Sequence, residues 1–479
     1  MQTTRRTLLK SAAALAVSSR LVRAANPPGP VITKLADYMA AAAGRALPEE
    51  ALEHTKHHLL DTLAAMVSGT ELPPGKVALA MAKAHTGEKT ATIVGGNVLC
   101  GPIEAALVNG MLAHSDETDD SHAPSQSHPG CSIVPASLAT CEQFGTDGTR
   151  MLRAVALSYD IGTRFTMTLG ALKYQMASHR SSHSIAGNFG SAAAAGCAAG
   201  LNAQQMRWVL DYAAQQASGI AAWQRDTEHI EKSQVFGGWP ARNGVSAALV
   251  IQIGGTGVDD ILTGPDNFLM AFNPAADPEK LVEQLGSRYE VSRTNIKKWT
   301  VGSPIQAPLD ALELIRKKRP FEAAQVQKVV VRVAPNDANT VNNREMPDIC
   351  LQHMVAVMLL DKTASFAAAH DTPRMKDAAV LRERAKVQLV PDEELDKLKP
   401  ARVSIVEVTL TDGTMLRERV EAVRGTAQNP MPRAEVVAKA RDLMAPILGA
   451  DKAGKAIQKV LALETVKDVR ELRPLLQKG

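Results

Sequence analysis

The stretch 109-NGMLAHSDETDDSHAPSQSHPG-130 carries four acidic residues and three histidines. It begins where an apolar segment ends and closes on His-Pro-Gly, so carboxylates and imidazoles are held near one point. Outside it, a few more groups stand in apolar or glycine-rich surroundings. They are His183 after Arg180, Lys232 before 237-GGWPARNG-244, and Lys297-Lys298 before 302-GSPIQAPLD-310. Singly, each has an ordinary reading as a solvated loop, a helix cap or a surface lysine. Together they supply acids, bases and cations, the requirement for taking a proton from carbon next to a carboxylate and neutralising the enolate charge that follows. The donor types at Asp116, His122 and His128 also suit iron or manganese. No Gly-x-Gly-x-x-Gly, phosphate loop, His-Glu-x-x-His or Gly-x-Ser-x-Gly is present, which argues against nucleotide-dependent enzymes and standard serine hydrolases.

The elements that must position these groups are mostly helices. In 50-EALEHTKHHLLDTLAAMVSG-69, Leu52, Leu59, Leu60, Leu63 and Val67 recur at helical spacing and Gly69 supplies a stop. His54 and His58 lie one turn apart there, on what reads as a polar face. A short extended piece, 92-TIVGG-96, precedes a helix from Pro102 to about Ala113, and the acidic stretch sits at its C-terminal end. The small residues of 187-GNFGSAAAAGCAAG-200 predict close helix packing in a soluble bundle. After about Val291 the period changes to two in 326-VQKVVVRV-333 and 403-VSIVEVTL-410, and an Asp-Gly turn joins the latter to 415-MLRERV-420 as a hairpin. Gln352 to Leu360 reads as a helix, and the pattern is helical again from about Pro432. The expected fold is mainly α: an all-helical bundle domain of two chain segments, 25–291 and 425–479, with an inserted α+β lid domain at 292–424.

The N-terminus reads differently. In 3-TTRRTLLKSAAALAVSSRLVRA-24 a paired Arg5-Arg6 precedes a short apolar run and a small-residue cleavage site, the order of a twin-arginine signal. Maturation near Ala25 and a periplasmic location are expected. Residues 1–24 hold five basic residues and no acid, so 49 basic residues then face 50 acidic ones and the formal charge of +4 becomes about −1. Neither nucleic acid nor, after signal removal, a membrane is implied as a partner. The five cysteines form no Cys-x-x-Cys pair and are expected to be free, mostly buried thiols.

Several dispersed motifs resemble the MmgE/PrpD family, which includes 2-methylcitrate dehydratases and cis-aconitate decarboxylases. They are 58-HLLDTLAAMVSG-69, the acidic stretch ending at His128-Pro129-Gly130, 183-HSIAGNFGSAAAAG-196, Lys232 with 238-GWPARNG-244, 297-KKW-299 and 428-QNPM-431. The resemblance implies active-site positions at Asp116, Ser121 (in place of a Thr), His128, His183, Lys232 and Lys297, with no metal or organic cofactor, and a homodimer. It also implies departures. Gly302 stands where the decarboxylase branch has a catalytic His, His353 takes the place of a lid Tyr, and the loop from Asp116 to His128 is two residues longer.

The function expected from these readings is a dehydratase acting on a hydroxy di- or tricarboxylate, 2-methylcitrate-like. His128 or His183 would be base or acid, Asp116 would set the imidazole's tautomer, Lys232 and Lys297 would hold substrate carboxylates, and Ser121 and His353 would line the substrate. The alternatives are an isomerase or epimerase of an acidic substrate, and a non-catalytic periplasmic protein that binds a carboxylate.

Overall fold

The structure is a computed structural model that describes residues 27–399 and 401–478; the twin-arginine reading lies outside them. The longer helices used below, numbered in chain order, are α1 (Glu49–Gly69), α2 (Pro102–Ala113), α3 (Gly130–Phe144), α4 (Gly148–Leu169), α5 (Ser182–Ala199), α6 (Trp239–Gln252), α7 (Ser303–Lys318), α8 (Leu351–Asp361) and α9 (Arg433–Leu448). A two-stranded ladder pairs β1 (Ala91–Thr92) with β2 (Leu99–Cys100). The fold is mainly helical, as the periodicity predicts, with one larger sheet in the C-terminal half.

One apolar core runs from Val31 to Ile296 and then takes in Met431 to Leu476, so two separate chain segments build it. The second segment is locked on by charge as well as by packing. On α9, Lys439 reaches Asp61 of α1 at 2.6 Å and donates to the Thr118 carbonyl at 2.9 Å, all buried. Small residues on α5 let the surrounding backbones approach it. A Cβ at Gly162 of α4 would lie 2.3 Å from the Ala186 carbonyl oxygen, and one at Gly244 of α6 would lie 2.4 Å from the Ala192 nitrogen. Larger residues there would push the helices apart.

A second core, from Trp299 to Val423, belongs to the sheet-bearing unit, here called the lid. Its strands β3 (Val326–Val333), β4 (Val387–Pro391), β5 (Ser404–Leu410) and β6 (Met415–Val420) lie in the order β4-β3-β5-β6. The predicted hairpin is present with Thr409 opposite Met415, and Gly413 takes the positive φ of 84° that its turn needs. The parallel strand β4, against Val329 to Val333, was not anticipated. Its five residues carry no clean alternation, and the pairing depends on residues more than 50 positions away. Among the described residues no helix is long and apolar enough to cross a membrane.

Candidate active site

The acidic stretch is not a solvated loop. Asp119 and Asp120 are fully buried and Asp116 and Glu117 nearly so. Buried carboxylates must find cations or donors, and each of these four finds a different set.

Asp120 is structural. Its carboxylate accepts from the Gly130 N–H at 2.9 Å and from the Tyr159 hydroxyl, and meets His58 Nδ1 at 2.9 Å, tying the loop's end to α3, α4 and α1. The chain between Asp120 and His122 is stitched to the segment before Lys297 by paired backbone bonds between Ser121 and Asn295, at 3.0 and 2.8 Å. That places Lys297 beneath the loop. Ser121 itself is half-buried, and its hydroxyl makes no hydrogen bond among the described residues.

Asp119 joins two imidazoles. One oxygen meets His114 Nδ1 at 2.8 Å and the other meets His128 Nδ1 at 3.1 Å. Burial pushes this carboxyl up, but the two histidines outweigh burial and hold it well below the usual range. An ionised Asp119 fixes the Nδ1–H tautomer on both rings and leaves their Nε2 atoms as the basic ones. Burial, helped by the Lys297 charge, depresses His128, so its neutral form prevails near pH 7. His114 Nε2 is buried without a partner.

Glu117 gathers the cations. Its carboxylate pairs with Lys232 and lies 3.3 Å from Lys297, whose ammonium also donates to the Glu117 carbonyl at 2.8 Å and sits 3.8 Å from Asp119. Burial pushes Glu117 up, yet the two lysines hold it well below its usual range. Lys297, 4% exposed, is shifted upward despite burial, chiefly by Glu117 and Asp119, and stays charged. Both lysines expected to hold substrate therefore converge on an internal carboxylate.

His183, the second residue of α5, stacks on Phe236 with ring centroids 3.7 Å apart, and His114 stacks on the same ring at 4.6 Å. His128 lies 5.3 Å from His183, centroid to centroid. Burial, with the His128 and Lys232 charges, depresses His183 strongly, and its Nδ1 has no partner. Phe236 is aimed there by a π-helical turn, Gln234–Gly238, that follows Lys232. The turn fits only because Gly237 meets Gly110 of α2: a Cβ on Gly237 would lie 2.0 Å from the Gly110 carbonyl oxygen. His229, also buried with a free Nε2, borders His114 at 5.0 Å.

The lid contributes from the other side. Asp116 meets neither His128 nor His183; its partner is His370, 2.9 Å away, and Thr118 donates to it through N–H and hydroxyl. The task of orienting imidazoles falls to Asp119 instead. His353 is not brought to this cluster. It is buried in α8 with both ring nitrogens unpartnered, its charged neighbours are Arg384, Arg374 and Asp371, and burial pushes it down to about 4. His122 is also apart, its nitrogens spent on Ser125 at 2.8 Å and Glu290 at 3.2 Å. The trio Asp116, His122 and His128 is thus not a metal site. His114, Asp119 and His128 do offer one atom each within 4.8 Å of one another. Two of those contacts are already Nδ1–carboxylate pairs, and the Lys297 ammonium on Asp119 opposes a cation, so the trio reads better as a proton-handling set.

The residues that sequence reasoning missed are His114, Glu117, His229, Asp348 and His370. Glu117 and His114 stand inside the singled-out stretch, where spacing alone does not rank one acid above its neighbour. His370 and Asp348 carry no local signal.

Known proteins agree with this arrangement in extent. The chain is 24% identical to a cis-aconitate decarboxylase-like protein, oryM, of Aspergillus oryzae over 94% of this chain and 98% of that protein. It is 24% identical to a cis-aconitate decarboxylase of Aspergillus terreus, covering 90% of this chain and 92% of the other. It is 25% identical to the Homo sapiens cis-aconitate decarboxylase, covering 90% and 91%. Residues 33–281 match the MmgE/PrpD N-terminal domain and residues 299–465 the C-terminal domain, so the chain belongs to the MmgE/PrpD family.

Proposed function

We propose that the chain is a lyase that works without a cofactor on a hydroxy di- or tricarboxylate, removing a proton next to a carboxylate and expelling the β-hydroxyl as water. The observation that carries it is Asp119 between His114 and His128, which leaves a neutral, oriented imidazole base at His128 near the buried Lys297 ammonium and the half-buried Lys232. Lyase chemistry is supported at the family level by the decarboxylases among its relatives. In the proposed step the C–H proton passes to His128 Nε2 while charge builds on the substrate carboxylate. Lys232 and Lys297 offset that charge, and Glu117 marks the position a carboxylate takes between them. His183, held neutral against Phe236, walls the same space.

Decarboxylation is the second reading, favoured by the relatives that are cis-aconitate decarboxylases, since it too needs a proton moved at carbon and the same cations. Gly302 caps α7 without any side chain, so that position offers no proton shuttle, which favours loss of water over loss of carbon dioxide. Proton NMR of the protein with hydroxy di- and tricarboxylates and their alkenes in heavy water tests both. Alkene or hydrated product supports the dehydratase, and loss of a carboxyl group supports the decarboxylase. Deuterium in recovered substrate alone supports an isomerase, and thermal stabilisation by one acid without turnover supports a binding protein. We also propose export to the periplasm, carried by Arg5-Arg6 and the apolar run after it, and a homodimer; cell fractionation and light scattering test these.

A further inference from the structure

His370 follows a four-residue helix, Phe366–Ala369, in the lid. Its Nδ1 lies 2.8 Å from the Phe366 carbonyl oxygen and its Nε2 lies 2.9 Å from the Asp116 carboxylate. Both ring nitrogens therefore lie near oxygens, Nδ1 in a hydrogen bond and Nε2 in an ion-pair contact that is not aligned as a hydrogen bond, and the charged ring suits both. The ring stacks on Phe366 at 4.3 Å, which fixes its plane. This pair crosses from the lid to the helical unit.

Asp348, in the turn Pro347–Ile349 that precedes α8, is the second lid residue at this wall. It is 3% exposed, and its carboxyl makes no hydrogen bond among the described residues. A buried carboxyl without a protein partner calls for a proton or a ligand. The charges it feels are His370, Asp116, Glu117 and Lys232, which come from both units. Its backbone carbonyl accepts from the Gly302 N–H at 2.9 Å, and a Cβ on Gly302 would meet Ile349 at 3.4 Å, the Asp348 carbonyl at 3.8 Å and Pro304 at 3.9 Å. The backbone of Asp348 is thus tied directly to Gly302.

Resting on the lyase reading above, we propose that the lid supplies the acid of the reaction: Asp348 protonates the departing hydroxyl, and His370, clamped to Asp116, is the positioning residue that steadies it. In this step His128 takes the carbon-bound proton as the C–H bond breaks and the C=C bond forms. The C–O bond breaks and the hydroxyl leaves as water with the proton of Asp348. The Asp348 carboxylate so formed is offset by the His370 imidazolium charge. The two transferred protons balance, and exchange with solvent restores both groups. Burial, the largest influence on Asp348, pushes it up to about 7, and the Asp116 contact, overcoming burial, pushes His370 up to about 9, so near neutrality His370 carries its proton and about half of Asp348 does.

The test has two arms. In the first, Asp348→Asn and His370→Gln are assayed in heavy water with the hydroxy acid that the wild type turns over. Asp348→Asn is expected to slow elimination about 100-fold or more while deuterium exchange at the carbon stays within about threefold, because the base on the helical unit is untouched. His370→Gln is expected to lower kcat about 10- to 30-fold with KM little changed, and to move the alkaline limb of the kcat profile to higher pH, because the imidazolium charge that lowers Asp348 is gone. Elimination by Asp348→Asn within threefold of wild type would overturn the proposal, as would joint loss of exchange and elimination in a folded variant. The second arm needs no substrate: nitrogen-15 NMR of histidine-labelled wild type is expected to show His370 doubly protonated at pH 8, and to show it neutral there in Asp116→Asn. A neutral His370 in the wild type at pH 7 would overturn the clamp whatever the rates. Silence of the wild type across every acid would remove the lyase reading, and with it any role for an acid on the leaving group.

Discussion

His122 and His128 stand in one short loop, are both paired to buried carboxylates, and differ in what is left over. His122 spends both nitrogens, on Ser125 and on Glu290, and Glu290 is itself shared with Arg288 and Arg293 at 2.8 and 2.9 Å. His128 spends only Nδ1, on Asp119, and its Nε2 has no protein partner among the described residues. A fully satisfied histidine is a staple; one with an unspent nitrogen beside cations is a base in waiting. Residue type does not separate the two, and neither does burial, since their side chains are 0% and 12% exposed.

The largest expected effect comes from breaking that difference on the active side. His128→Asn should cost about 10²–10⁴ in kcat with little change in melting temperature, and Asp119→Asn, which leaves the ring but frees its tautomer, should cost nearly as much. Steady-state kinetics beside thermal unfolding checks both. If His128→Asn kept wild-type turnover, the base assignment would be wrong and His183 would be the next candidate.

On the structural side the same measurements should come out reversed. His122→Ala should cost about 1–3 kcal/mol of stability and leave kcat within about threefold. Glu290 sharpens this. Burial pushes it up, but the His122 hydrogen bond, the His122 and Arg293 charges and the Arg288 hydrogen bond hold it down at about 2. A carboxyl held below its unfolded value binds fewer protons when folded. Its contribution is present above about pH 4.5 and disappears as pH falls towards 2, on the order of 3 kcal/mol. Glu290→Gln should therefore flatten acid unfolding in that window. His128, depressed in the folded state, acts at a different pH: the unfolded chain binds its proton first, so its contribution fades below about pH 6.5.

A smaller effect sharpens the comparison through the aromatic wall. Phe236→Leu removes the ring on which His114 and His183 stack and admits water to both. Turnover should fall about 3- to 10-fold, with the acid limb of its pH profile moving up as His183, now depressed by burial, regains basicity. An unchanged profile would mean that the ring only fills space.

Much of the fold was legible because helices and hairpins announce themselves locally. The α1 stripe, the Asp-Gly hairpin and the small residues of α5 each follow from backbone geometry within a few residues. Strand β4 did not, because a short parallel strand is recognised by its partner and not by its own pattern. In the site, Asp116, His128, His183, Lys232 and Lys297 all border the cluster, whereas His353, though one helix away from Asp348, faces Arg384 and Arg374. A loop has no period, so choosing between Asp116 and Glu117 depended on the Thr118 bonds that turn the first toward His370 and leave the second to the lysines.

By itself the sequence determined which groups were available and which helices would carry them, because side-chain chemistry and periodicity are local. Only the tertiary structure decided which carboxylate each cation and imidazole would own. Burial makes every one of these charges too costly to leave alone, and the partner that satisfies it comes from wherever the chain has been folded back, for Asp116 from the lid and for Asp61 from α9.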